Sequence, residues 1–86
     1  MQNFKYTIKD KVGLHARPAG RLVKMTRDFP GTEISIRKGD KTVKASQLMK
    51  LMGLGVKCGD EIEIIIEGGD ETAAKEAMQA FFEDNL

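Results

Sequence analysis

With 86 residues, the chain has room for one small domain around a single core and not for two. Fourteen basic and 13 acidic side chains leave a net charge of +1, which removes any global electrostatic reason to bind nucleic acid or a membrane surface. One cysteine, Cys58, excludes an internal disulfide, and with one histidine a structural zinc site is not expected, nor is any other cofactor.

A hydrophobic fraction of 41% and a charged fraction of 31% are those of an ordinary folded soluble protein. No apolar run approaches the ~20 residues of a membrane span, and Met1-Gln2-Asn3-Phe4-Lys5 lacks the apolar region of a signal peptide. The expected location is the cytoplasm, with Cys58 an ordinary loop thiol in a reducing compartment.

Residues 4–8 alternate apolar and polar, which predicts a strand with Phe4 and Tyr6 toward the core. Residues 10–13 read as a loop leading into Gly13-Leu14-His15-Ala16-Arg17-Pro18-Ala19-Gly20. Pro18 suits the first turn of a helix, where its missing N–H would have had no partner, so a helix is expected over 16–27. Its stripe is Ala19, Leu22, Val23 and Thr26, with Arg17, Arg21, Lys24 and Arg27 largely off it. Arg27 and Lys24 suit a helix C-terminus, whereas Arg17 stands at the end of the dipole that least favours a cation. That placement costs stability unless an anion arrives. The free N–H groups of Ala16 and Arg17, with the guanidinium, make the helix start a candidate phosphate or carboxylate site beside His15. An imidazole keeps a neutral nucleophilic nitrogen near neutral pH without a general base, so His15 is a candidate covalent phosphate carrier. Gly20, costly in a helix interior, suggests close packing or the approach of a partner.

Phe29-Pro30-Gly31 breaks the helix. Residues 33–37 and 42–45 alternate around the turn chemistry of Lys38-Gly39-Asp40-Lys41 and predict a hairpin. Ser46 is expected to cap a short helix over 47–52 that Gly53 ends. Leu48, Met49, Leu51 and Met52 exceed what one core stripe needs; most are expected in the core, with one or two outward as a contact patch. After the loop 54–60, residues 61–67 form the strongest strand, expected centrally with Ile62, Ile64 and Ile66 buried and Ile65 opposite. Gly68-Gly69-Asp70-Glu71 turns into a last helix whose stripe is Ala74, Ala77, Met78 and Phe81, extended by Phe82 and Leu86. The order βαββαβα predicts an α+β open-faced sandwich: a four-stranded antiparallel sheet with three helices on one face.

GLHARPAG at positions 13 to 20 resembles the active-site motif of HPr, the histidine phosphocarrier family of the bacterial sugar phosphotransferase system. The resemblance runs from Phe4 to the final helix and agrees with the βαββαβα order. It implies that His15 accepts a phosphoryl group on Nδ1 from phosphorylated enzyme I and passes it to IIA domains of sugar permeases. Arg17 would hold the phosphoryl oxygens and Pro18 would fix the helix start. Such a chain is a protein substrate of enzyme I, expected to act as a monomer, rather than an enzyme. In the family the short second helix lies beside the histidine and helps to dock partners. Leu48, Met49 and Met52 are therefore candidate partner contacts, together with Gly20, Arg21, Lys24 and Arg27 on the basic helix.

Many HPr proteins of low-GC Gram-positive bacteria carry a regulatory serine at the start of that second helix, phosphorylated by HPr kinase. Ser46 has the matching number, but this chain reads one residue longer between Phe29 and Leu54, near Pro30-Gly31-Thr32, which would put Gln47 at the regulatory position. The alternative within the resemblance is a regulatory binding module acting on transcription factors or metabolic enzymes. A third possibility, single-stranded RNA on the open sheet face, ranks last because Phe4 and Tyr6 belong to the core side.

Overall fold

The computed structural model describes residues 1–86, in the order β1 (Gln2–Thr7), α1 (Ala16–Thr26), β2 (Glu33–Lys38), β3 (Lys41–Lys44), α2 (Leu48–Gly53), β4 (Glu61–Glu67) and α3 (Glu71–Asn85). The four strands form one antiparallel sheet in the order β1-β4-β2-β3. The isoleucine-rich β4 is thus internal, and its register explains why: Ile64 stands opposite Phe4 on one side and Ile36 on the other, and Ile66 opposite Ile34. Ile62, Ile64 and Ile66 are buried, and Ile65 looks the other way. This is the open-faced βαββαβα sandwich expected from the pattern.

The helices cover the face that these isoleucines share. From α1 come Ala19, Leu22 and Thr26, with Val23 half-buried, and from α3 Ala74, Met78, Phe81 and Phe82, followed by Leu86. Phe82 has no solvent exposure and meets Phe4, Tyr6 and Phe81 with ring centroids 6.4, 5.5 and 5.6 Å away. The Phe4 and Phe81 contacts are edge-on and the Tyr6 contact tilted, and such pairs stabilise beyond the area they remove from water. The opposite face is polar: Asn3 donates to Glu63 at 2.6 Å, and Arg37 pairs with the same carboxylate at 3.3 Å. The β2–β3 hairpin closes on Gly39 and Asp40 between the paired Lys38 and Lys41, with Gly39 at φ 62°, as a tight hairpin turn requires.

Three expectations fail around α2. Ser46 does not cap it: the helix starts one residue later, Gln47 is its N-cap and no side chain accepts there. The reason is packing phase. Ala45 is fully buried and its N–H extends the ladder to the Ile34 carbonyl at 2.8 Å, so Ser46 falls in the exposed turn between sheet and helix. Gly53 does not end the helix but belongs to it; Leu54 is the C-cap and Gly55, at φ 70°, takes the left-handed position that follows. Nor is most of the apolar surface of α2 in the core. Only Leu51 is buried, and Leu48, Met49 and Met52 are 37, 78 and 40% exposed. A six-residue helix over one corner of the sheet offers the core a single position.

Candidate functional site

The loop before α1 has its own scaffold. Asp10 Oδ2 accepts the N–H groups of Val12 at 3.1 Å and Gly13 at 3.0 Å, the side-chain turn that aspartate forms two or three residues ahead. Gly13 then takes φ 83°, and a Cβ there would stand 2.4 Å from the Val56 carbonyl oxygen. Only glycine serves at such a position. That same carbonyl accepts the Leu14 N–H at 3.0 Å while the Leu14 side chain enters the core. His15 is thereby delivered to the N-cap of α1, half-buried and with extended backbone.

At this helix start nothing within the chain satisfies the open donors. The His15 carbonyl accepts from Ala19, but no side chain caps the helix and its first turn holds no acid. Pro18 is buried and has no N–H to satisfy, which leaves the N–H groups of Ala16 and Arg17 facing outward. Arg17 is exposed and pairs with no carboxylate. An anion beside His15 would meet two backbone donors, the positive end of an 11-residue helix and a fork-shaped cation.

The remaining candidates are spread over α1, α2 and the turn before α2. Gly20, Val23, Lys24, Arg27 and Leu48 line an open groove of about 290 Å³ between α1 and α2. A Cβ at Gly20 would touch nothing, so close packing within the chain does not explain that glycine. Arg21 points to the other flank of α1, where it donates to Asn85 of α3 at 3.2 Å. Leu48, Met49 and Met52 form an exposed apolar rim on α2. Ser46 is separate from these: it lines a wider cleft of about 530 Å³ with Arg27, Pro30, Glu33 and Lys44. Sequence reasoning passed over Asp10 and Val56. The Asp10-x-x-Gly13 spacing was the available signal for the first, whereas nothing local marks Val56 as the carbonyl against which the loop is seated.

Comparisons with known proteins agree along the whole chain. The family model described as "PTS HPr component phosphorylation site" matches residues 2–84. The chain is 45% identical to the HPr-like protein Crh of Halalkalibacterium halodurans over 88% of its own length and 89% of that protein. It is 35% identical to the phosphocarrier protein HPr of Lysinibacillus sphaericus, over 91 and 88% of the two. The solved histidine-containing phosphocarrier protein of a Mycoplasma superposes with a TM-score of 0.90 at 36% identity, covering 96% of this chain and 93% of that one. Fold, helix-start geometry and these likenesses converge, and the chain belongs to the bacterial HPr family, phosphocarriers of the phosphotransferase system that carry phosphoryl groups and are not themselves catalytic enzymes.

Proposed function

We propose that this protein is a phosphotransferase-system carrier in which His15 takes a phosphoryl group from phosphorylated enzyme I and hands it to IIA domains of sugar permeases. The observation that carries the reading is the helix start itself: a half-buried histidine at an uncapped N-terminus whose free donors and unpaired Arg17 await an anion. In the step, the lone pair of His15 Nδ1 forms the N–P bond while the donor's bond to phosphorus breaks and the donor keeps that electron pair. The transferred group ends as a dianion on the ring. Ala16 and Arg17 N–H and the guanidinium stabilise its oxygens; such transfers depend on positioning and charge more than on covalent machinery. Handing on to a IIA domain reverses the geometry with a new nucleophile. Gly20, Lys24, Arg27, Leu48, Met49 and Met52 supply the docking face, with Arg21 on its flank: an apolar rim beside unpaired cations fits an apolar patch ringed by acids.

Phosphoenolpyruvate with enzyme I is expected to place acid-labile phosphate on the protein, and His15→Ala to remove it. Equal labelling of the variant would end the proposal.

A second reading, a regulatory module that meets transcription factors or metabolic enzymes, draws support from the 45% identity to an HPr-like protein Crh. A module of that kind has no need of a nucleophile at a helix start, which favours the carrier. Ser46 belongs to this second reading. Its hydroxyl is exposed and free of a capping duty, but the N-cap of α2 is held by Gln47. Incubation with HPr kinase followed by phosphosite mapping tests it, and absence of phosphate on Ser46 removes regulation through that residue.

A further inference from the structure

We propose that Asp10 is a positioning residue for phosphoryl transfer at His15, acting through the backbone of its loop; this rests on the carrier reading above. Asp10 is the residue whose bonds tie both ends of the segment before the histidine, its backbone at one end and its carboxylate at the other. Its N–H, with that of Lys9, donates to the Leu86 carbonyl at 2.9 and 2.6 Å, which fastens the loop to the buried end of α3. Its carboxylate takes the Val12 and Gly13 N–H groups, and its carbonyl shares the latter at 3.2 Å. The Gly13 carbonyl in turn accepts the His15 N–H at 3.1 Å. A continuous run of hydrogen bonds thus leads from the α3 terminus through Asp10 to the backbone of the nucleophile. Asp10 forms no ion pair, so its carboxylate is committed to this turn.

Removal of that acceptor frees the Val12 N–H to seek water, leaves the Gly13 N–H with only its longer bond to the Asp10 carbonyl, and lets the loop sample other turns, so that the ring spends less time aligned with the incoming phosphorus. Misplacement by about 1 Å is enough to cost up to ~100-fold in a group transfer. The docking face on α1 and α2 is untouched, so the loss belongs to turnover and not to recognition.

Four full-length proteins decide it: wild type, Asp10→Ala, Asp10→Asn, which keeps an accepting oxygen without the charge, and Ile34→Val, a core change remote from the loop. Enzyme I kinetics with each as protein substrate are expected to show kcat lowered roughly 10-fold for Asp10→Ala, KM unchanged, most of the loss recovered in Asp10→Asn, and wild-type kinetics for Ile34→Val. Wild-type kcat in Asp10→Ala, or an Asp10→Asn as slow as Asp10→Ala, overturns the proposal. If wild type itself takes no label, the carrier reading fails, and amide exchange then judges the loop alone. Faster exchange at Val12 and Gly13 in Asp10→Ala than in Ile34→Val supports the positioning role, and equal exchange overturns it.

Discussion

The first and last helices begin in opposite ways. At α3 Asp70 Oδ1 accepts the Ala73 N–H at 3.1 Å, and Glu71 in the first turn takes the Gly68 N–H at 2.7 Å and the Met1 ammonium at 3.0 Å. The dipole is met by two acids and the Ala73 N–H is capped. At α1 the cap position holds His15, whose side chain accepts nothing, no acid follows, and Arg17 opposes the dipole. The contrast separates a helix end built for stability from one held open for an external anion. Capping and charge at a helix start are each worth about 1 kcal/mol, and α1 forgoes both.

The largest expected effect is on chemistry at the open end. Arg17→Ala should slow loading by enzyme I roughly 100-fold, the scale of removing one stabilising donor, with the thermal midpoint slightly raised because the guanidinium has no partner within the chain and opposes the dipole. Undiminished loading would show that the backbone donors suffice. Gly13→Ala combines a left-handed backbone with a 2.4 Å collision against Val56, and should cost more than ~1 kcal/mol in denaturant unfolding and slow loading as well. A change in stability alone would detach the loop from the chemistry.

The comparison is sharpened by exchanging the two styles of helix start. Asp70→Ala should cost about 1 kcal/mol and leave loading intact. His15→Ser should do the reverse: a hydroxyl can cap α1 and raise stability by roughly 0.5 to 1 kcal/mol as phosphate acceptance disappears. If both variants lose stability, the α1 start is less open than its geometry indicates. The smallest effect is on acid sensitivity. The Lys38 ammonium, with the Lys57 N–H, holds Asp60 below the usual carboxylate range, and the Met1 ammonium, with the Gly68 N–H, does so for Glu71. Folded values below unfolded ones mean that this stability is present above the ordinary carboxylate range and lost as pH falls through the lowered values. Unfolding of Asp60→Asn should therefore depend less steeply on pH at the acid end than that of wild type.

Elements governed by their own periodicity were legible. The Ile62, Ile64, Ile66 alternation and the Ala19, Leu22, Thr26 stripe each report burial directly, because one face of each must leave water. Pro18 and Arg17 likewise marked the open helix start before any coordinates. Where a local rule competed with packing, packing prevailed. Ser46 is a good cap by type, yet burial of Ala45 and Leu51 sets the phase of α2 and moves its cap to Gln47 and its start to Leu48. Most of the apolar side chains of α2 are expected in the core with one or two outward, and three, Leu48, Met49 and Met52, face solvent because a helix of one and a half turns offers a two-layer fold little inward surface.

By itself, the sequence determined the order of elements, the faces of the strands and the placement of a histidine ahead of a proline-initiated helix, since all of these follow from neighbours a few positions apart. The tertiary structure alone decided that the Val56 carbonyl seats Gly13 and Leu14, that the end of α3 fastens Asp10, and which side of α2 meets water. Those contacts join segments more than 40 residues apart or depend on the space left beneath a short helix, and no local pattern encodes where two distant backbones will meet.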